Sequence, residues 1–300
     1  MDLKRIEAIL VVGAGWVGRQ IAMTMAAGGC RVFLMDEKSE VITQALDWMN
    51  GQAGRLFAAG TWTEKQRDNV RESIMGVNPK NLSVLEPDLV IECVPEQASL
   101  KKRVLKSLGE KCGEEVIITS NSSYFVPSMF KGAIKHPERF LHFHFHVPVF
   151  LTNAVDIMPW SGTTPQIVER LVELSERIGQ KPLICRQEHP GYVFNWLLQA
   201  LLKAAMELAQ QGVADPSEID QRWKDLTGMK RGPFWIMDQI GLDVIHQVLQ
   251  NGRFTQPIAA EVLIEFLEPL VASGKLGQKT GQGFFSYADQ MLDWEEGSLE

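Results

Sequence analysis

With 300 residues the chain is long for one ordinary core and suits two domains. Its 45% hydrophobic and 22% charged residues are those of a soluble globular protein, and no apolar run approaches the roughly 20 residues that span a bilayer. A net charge of −7, with no dense Lys/Arg block to offset it, argues against nucleic acid as the main partner.

Residues 6–36 read IEAILVVGAGWVGRQIAMTMAAGGCRVFLMD. The apolar block Ile9 to Val12 is expected to be a strand buried on both faces of a parallel sheet. Gly13, Gly15 and Gly18 have G-x-G-x-x-G spacing: one for a tight turn, one for close approach of a pyrophosphate, one for helix–strand packing. Val17, Ile21 and Met25 recur at helical spacing, and Gly28-Gly29 ends the helix. Val32 to Met35 form a second strand, closed by Asp36. The helix start offers N–H groups and a positive dipole end to phosphates. Asp36 can accept from ribose hydroxyls and disfavours a 2′-phosphate, so NAD is expected over NADP, with Lys38 the one nearby opposing charge. The turn residues Trp16 and Val17 are counted with the three glycines and Asp36 as cofactor-binding.

Further along, 40–59 and 63–74 read as helices separated by Gly60, with Trp48, Leu56 and Phe57 as core. Leu89 to Cys93 is a buried strand. Leu100 to Leu108 is a helix whose Lys101, Lys102, Arg103 and Lys106 form a basic face, which a solvated surface alone would explain. Val116 to Thr119 is a strand followed by the polar turn 120–123. Phe140 to Phe145 and Ala154 to Met158 are strands, Pro165 to Ile178 is an amphipathic helix, and Pro182 to Cys185 is an edge strand. This order implies an α/β protein with a doubly wound sheet over 1–187. Beyond 187–191 helical periodicity dominates to about Ser273, with breaks at Gly212, 228–233 and 251–257. Asp215-Pro216-Ser217-Glu218 is a helix start. The region 188–300 is therefore expected to be an all-helical domain, and its apolar face could join two copies in a homodimer.

Oxidising an alcohol with a nicotinamide needs a base for the hydroxyl proton, and histidine suits neutral pH. His142, His144 and His146 alternate on one strand, about 7 Å apart from one to the next on a shared face. Adjacent ones could share a metal, but no well-placed Cys or further His completes a set, so none is expected. Residue types alone do not choose the base among them. Cys30, Cys93, Cys112 and Cys185 are scattered without a C-x-x-C pair, as expected of reduced thiols in a cytoplasm. MDLKRIEAILVV enters the first strand without a small-residue cleavage site, so no signal peptide is expected.

With the glycine turn, IECVPEQ at 91–97, SNSS at 120–123, the histidine strand, HPGYVFN at 189–195 and KLGQKTGQGFFSY at 275–287, the chain resembles the L-3-hydroxyacyl-CoA dehydrogenase family. That family includes the λ-crystallin/L-gulonate 3-dehydrogenase branch and carnitine dehydrogenases. The likeness covers nearly the whole chain in order. It implies a Rossmann-type NAD domain followed by a helical domain for substrate and dimerisation. By position after Arg139-Phe140 and before Pro148, it gives His144 the base's role and Asp156, twelve residues on, that of its partner. Ser123 and Asn195 match residues near the reacting oxygen. Glu96 and Lys101 match positions at the nicotinamide-side ribose, and Asn121 another on the cofactor side.

Departures from the family pattern cluster around the substrate. Asp156 replaces a glutamate, which shortens the reach by roughly 1.3–1.5 Å. His142 stands for a glycine, Val147 for an asparagine, Trp196 for an arginine and Tyr124 for a serine. For a CoA 3′-phosphate the chain offers Arg55 or the Lys101–Lys106 face. The glycine-rich tail reads foremost as turns that let Phe284 and Phe285 pack. The resemblance implies a cytoplasmic NAD-dependent 3-hydroxyacyl-CoA dehydrogenase of fatty acid metabolism, acting on a small-molecule thioester without membrane or nucleic acid. The alternatives are a dehydrogenase of a non-CoA 3-hydroxy acid, of the L-gulonate or carnitine type, and a weakly catalytic NAD-binding crystallin-like protein.

Overall fold

The computed structural model describes residues 5–250 and 260–287. It divides into two units, Met1–Tyr192 and Val193–Glu300. The first holds an eight-stranded sheet: β1 (Ala8–Val12), β2 (Arg31–Met35), β3 (Ile74–Val77), β4 (Leu89–Glu92), β5 (Ile117–Ser120), β6 (Phe140–Phe145), β7 (Ala154–Pro159) and β8 (Lys181–Ile184). Their spatial order is β3-β2-β1-β4-β5-β6-β7-β8. The strands from β3 to β6 are parallel, β7 runs antiparallel to β6, and β8 is parallel to β7. The chain winds outward from β1 through β2 to β3 and then returns to β4. The crevice between the carboxyl ends of β1 and β4 is therefore the switch point where such sheets bind ligands.

Both faces of the sheet are covered, which is why β1 and β4 are apolar with little alternation. On one face Ile9, Val11, Leu34 and Ile91 pack with Ile21 and Met25 of α1 (Trp16–Ala27) and with Met49 and Ala53 of α2 (Ser39–Ala58). On the other, Leu10, Val90 and Ile118 pack with Leu105 and Leu108 of α4 (Ala98–Lys111). The helix α3 (Glu64–Ser73) begins with a capping box in which Thr63 and Gln66 satisfy each other's backbone N–H. α5 (Val149–Thr152) is a single turn, and α6 (Pro165–Arg177) buries Ile167, Leu171 and Leu174.

One sequence expectation needs correction here. The helix expected to run through residue 74 ends at Ser73, and Ile74–Val77 is an edge strand on β2. Only Val77 of its four residues is buried, so no apolar pattern announces it.

The second unit is helical: α7 (Phe194–Gln210), α8 (Pro216–Thr227), α9 (Pro233–Ile240), α10 (Leu242–Gln250) and α11 (Ala260–Ala272). Glu218 accepts from the Asp215 backbone N–H at 2.9 Å, and Gly228 closes α8 at a φ of 71°. Leu202, Met206, Phe234, Met237, Leu242 and Leu267 form its core, with Phe284 and Phe285 packed against it. Those two phenylalanines are held through their backbone: Asp238 accepts from Phe284 N and Phe285 N and from Tyr287 Oη, each at 2.9 Å. Gly283 has no room for a side chain, since a Cβ would lie 2.1 Å from Asp238 Oδ1. The break expected over 251–257 lies outside the described residues. Among those described, no helix is long and apolar enough to cross a membrane.

Candidate active site

The carboxyl ends of β1, β2, β4 and β5 surround a cavity of about 820 Å³. Its walls include Gly13, Gly15, Trp16, Val17, Asp36, Glu96, Lys101, Asn121 and Ser123. Gly18 works behind that wall, where a Cβ would lie 1.9 Å from the Gly13 carbonyl oxygen. Gly13 turns at a φ of 104°, and a Cβ there would lie 2.8 Å from the Cys93 carbonyl oxygen, whereas a Cβ on Gly15 would meet nothing within 4 Å. The glycines thus divide the work as their spacing implies: a turn, an open approach and a close packing contact. Asp36 Oδ2 accepts from Ala14 N at 2.9 Å and Oδ1 from Lys38 N at 3.1 Å. The carboxylate therefore fixes the turn and keeps a lone pair on each oxygen for a ribose. An open glycine approach at a helix N-terminus with an acid at the end of β2 fits a dinucleotide. Beside it, the Arg19 guanidinium lies 4.7 Å from the Trp16 ring and 4.2 Å from Trp48, stiffening the first turn of α1.

Lys101 is not part of the solvated basic face. Lys102, Arg103 and Lys106 are exposed, but Lys101 is 1% exposed and points inward. Its Nζ donates to Glu92 Oε1 at 2.9 Å and to the Val94 carbonyl at 3.1 Å, and lies 3.3 Å from Glu96 Oε2. Burial opposes its charge, but Glu92 and Glu96 outweigh that and raise its pKa. Lys101 is thus committed to two carboxylates and is withdrawn from any role in binding a CoA phosphate. Glu96 also accepts from Ser122 Oγ at 2.6 Å and from Tyr124 N at 3.0 Å, which fixes it in the cavity wall. Sequence reasoning missed Glu92, although it is the one charged residue in a fully buried strand.

The register of β6 and β7 builds the polar centre. His144 pairs directly with Asp156 across the antiparallel ladder, so both side chains stand on one face of the sheet. His144 Nδ1 lies 3.5 Å from Asp156 Oδ2, at the outer limit of a hydrogen bond, and Nε2 lies 3.1 Å from Ser123 Oγ. The tighter contact of Asp156 is to His146 Nε2, at 2.8 Å. Asn121 Oδ1 accepts from Phe145 N at 2.8 Å and ties the end of β6 to the cavity wall. Burial lowers the pKa of His144, and the Asp156 contact opposes that only in part. Burial works against the Asp156 charge, but the two imidazoles outweigh it and lower its pKa to about 2. The site therefore pairs a neutral imidazole with an ionised carboxylate at neutral pH.

Tyr192 completes the centre and was not foreseen as a site residue. Its ring stacks on His144 with centroids 4.5 Å apart and planes 12° from parallel. Its hydroxyl donates to the Ser122 carbonyl at 2.8 Å, and His142 Nδ1 donates to that hydroxyl at 3.2 Å. The signal for it was the residue after the His-Pro-Gly turn, where the backbone takes a φ of 55° that a bulky side chain seldom adopts. His142 is fully buried, and burial holds its pKa well below the ordinary value. One ligand atom each from His144, His146 and Asp156 lie within 4.8 Å of one another, a set that could hold a metal ion. The strand's histidines alone make no such set; the carboxylate on β7 completes it.

The structure thus brings Ser123, His144 and Asp156 together, with Ser123 also in the wall of the dinucleotide cavity. Asn195 lies on the first turn of α7, in the second unit.

The sequence matches the family model of the 3-hydroxyacyl-CoA dehydrogenase NAD binding domain over residues 8–188. It matches that of the 3-hydroxyacyl-CoA dehydrogenase C-terminal domain over residues 191–287. The mitochondrial hydroxyacyl-coenzyme A dehydrogenase of Mus musculus is 30% identical, over 94% of this chain and 91% of its own. The 5-formyl-3-hydroxy-2-methylpyridine 4-carboxylate 5-dehydrogenase of Mesorhizobium japonicum is 29% identical, over 95% and 92%. A solved diketoreductase structure, reported for dual catalysis of dicarbonyl compounds, superimposes with a TM-score of 0.86. Its identity is 32%, over 95% of this chain and 100% of that one.

Proposed function

Because the chain belongs to the 3-hydroxyacyl-CoA dehydrogenase family of NAD-dependent oxidoreductases, we propose that it interconverts a 3-hydroxyacyl-CoA and the 3-oxoacyl-CoA, with His144 as general base. The observation that carries this reading is the contact of His144 Nε2 with Ser123, whose side of the cavity is shared with the dinucleotide site. Asp156 accepts a hydrogen bond from His144 Nδ1–H, which leaves the Nε2 lone pair free to accept the substrate's hydroxyl proton. Ser123 Oγ orients that hydroxyl, and the match of Asn195 to the family motif is what supports a substrate role for it. Gly13, Gly15, Trp16, Val17 and Asp36 hold the diphosphate and adenosine side of NAD; Glu96, Lys101 and Asn121 hold or support the nicotinamide side. NAD, when bound, supplies the hydride acceptor. Asp156 stabilises the imidazolium that the proton transfer creates, as an acid does in a hydrolase triad. In the reverse direction the same imidazolium returns its proton to the oxyanion. The reaction as proposed uses no metal.

A second reading is a dehydrogenase of a 3-hydroxy compound without CoA. It is favoured by the Mesorhizobium relative and the diketoreductase, whose names point to substrates other than acyl thioesters, and by Lys101 being unavailable to a phosphate. NADH oxidation with acetoacetyl-CoA, beside free acetoacetate and dehydrocarnitine, together with NAD reduction by L-gulonate, separates the two. Turnover with the thioester alone supports the first; turnover with free acids alone supports the second. NADH binding without any turnover would favour the weakly catalytic crystallin-like role, against which the Ser123–His144–Asp156 grouping stands.

The apolar residues left exposed on α7, Phe194, Leu197 and Leu208 among them, support a homodimer, which analytical ultracentrifugation tests. Four free cysteines favour a reducing compartment such as the cytoplasm, and the place in fatty acid metabolism rests on the family alone.

A further inference from the structure

The carboxylate that partners His144 is not devoted to it. Asp156 Oδ2 is 2.8 Å from His146 Nε2 and 3.5 Å from His144 Nδ1. His146 is two residues beyond His144, just past the end of β6, and its backbone N–H reaches the Ala154 carbonyl at 3.3 Å. It therefore stands diagonally across the ladder from Asp156, and its ring meets the His144 ring edge-on at 4.8 Å. An aspartate on β7 is short for a partner directly opposite, and left alone its carboxylate would rotate among orientations. The second imidazole removes that freedom.

We propose that His146 is a positioning residue for the reaction. Its Nε2–H donates to Asp156 and clamps the carboxylate where it faces His144 Nδ1–H. That contact fixes the His144 tautomer, with the Nε2 lone pair toward Ser123. This role rests on the reading of His144 as the base. His146 carries no substrate contact of its own; it acts through Asp156, which stays ionised and does not relay protons. The shared carboxylate also divides its charge between two rings. The other titratable groups facing this centre are His142 on β6, Glu96 and Lys101 from the cavity wall, Cys185 after β8, and Tyr192 stacked on His144.

The test compares His146→Phe, which keeps a ring but removes the donor, with His146→Gln, whose side-chain amide nitrogen can replace Nε2–H. NADH turnover with acetoacetyl-CoA or whichever free acid is reduced gives the kinetic arm. Histidine ring ¹⁵N NMR on the unliganded protein gives the arm independent of activity. His146→Phe is expected to lower kcat by about tenfold, the worth of one well-placed hydrogen bond, with KM for NADH unchanged. The His144 signals should shift from the Nδ1–H pattern toward a tautomer mixture, because the carboxylate is no longer held against Nδ1–H. His146→Gln should return kcat and the Nδ1–H pattern toward wild type. Wild-type kcat and unchanged His144 signals in His146→Phe would overturn the proposal, and so would His146→Gln being as impaired as His146→Phe. His144→Gln is the separate control. If it keeps wild-type turnover, the base assignment itself falls, whatever the His146 variants show.

Discussion

Ser123 Oγ lies 3.1 Å from His144 Nε2, while Asp156 Oδ2 stands on the Nδ1 side of the same ring. With Asp156 on the Nδ1 side, the serine hydroxyl donates to Nε2, which is the state a base needs before substrate arrives. His144→Ala is expected to lower kcat by about 10²–10⁴-fold, the usual worth of a positioned acid–base group. Ser123→Ala leaves the base in place and should cost about tenfold, one hydrogen bond at the reacting oxygen. Steady-state NADH oxidation with acetoacetyl-CoA reads both. A larger loss for Ser123→Ala than for His144→Ala would reverse their assigned roles.

Burial lowers the pKa of His144 from the ordinary histidine value, and with His144 as the proposed base the two directions of the reaction are expected to have opposite pH profiles. Oxidation needs the neutral ring, so its kcat/KM should be flat above about pH 6.5 and fall only on the acid side of that value. Reduction needs the imidazolium, so it should slow by about tenfold per pH unit as pH rises above a midpoint that lies below the ordinary histidine value. Profiles of both directions, taken with one substrate pair, check the expectation. A common midpoint above the ordinary histidine value would show that Asp156, not burial, dominates the ring.

Much of this arrangement was legible in the residues. The glycine turn, Asp36 and the buried strands carry local signals, because a parallel sheet covered on both faces leaves continuous apolar runs and because a close backbone approach excludes Cβ atoms. The tail 275–287 was readable as turns around Phe284 and Phe285, but its anchor, Asp238, lies some forty residues upstream and has no local mark. Lys101 misled for a related reason. Its neighbours Lys102, Arg103 and Lys106 make a basic stretch, and only the position of Glu92 one strand away shows that this lysine alone turns inward. The β3 strand escaped notice because an edge strand with one buried residue has no pattern to read. Residue types alone left three alternating histidines open and the family resemblance singled out His144; what no local pattern shows is that the antiparallel pairing of β6 with β7 places Asp156 opposite His144 and within reach of His146.

The buried Lys101–Glu92 pair predicts an asymmetric double-mutant cycle. Lys101→Met leaves Glu92 charged and fully buried, and should destabilise the first unit by about 3–5 kcal/mol. Glu92→Gln strands the ammonium in the same way, although Glu96 retains part of it. The double variant should recover at least about 1 kcal/mol of the summed loss, because no uncompensated charge remains. Urea denaturation of the four proteins measures this. Additive losses would mean that the two groups do not act as a pair.

His142 makes a second, independent claim about acid. It is fully buried and held neutral, so its folded pKa is below its unfolded value. Below about pH 6.5 the unfolded chain takes up a proton that the folded chain does not. Stability from this group is therefore complete above that pH and is lost as pH falls, by about 1.4 kcal/mol per unit for one histidine. Asp156 behaves separately, since its folded pKa of about 2 keeps its contribution until pH falls below the ordinary carboxylate value. Burial raises the pKa of Asp220 and Asp238, so the variant is compared with wild type to isolate the part of the slope that belongs to His142. His142→Asn, with its side-chain amide able to replace Nδ1–H toward Tyr192, should lower stability at pH 7 and flatten the loss between pH 7 and 5. Urea midpoints at the two pH values decide it, and an equal slope in wild type and variant would place the acid sensitivity elsewhere.

Asp36 joins the fold of the turn to the choice of cofactor. It accepts the Ala14 N–H and stands in the cavity wall, so Asp36→Ala removes both a brace of the glycine turn and the acceptor for a ribose. One charge-assisted hydrogen bond is worth about 1.5–3 kcal/mol, which corresponds to a rise in the NADH dissociation constant of roughly 10- to 150-fold. NADPH should gain relative to NADH at the same time, because the negative charge that repels a 2′-phosphate is gone while Lys38 remains two residues away. Fluorescence titration of both nucleotides against wild type and variant measures the ratio directly. If NADH weakened and the ratio stayed fixed, Asp36 would serve the turn alone, and discrimination between the cofactors would have to come from the shape of the cavity.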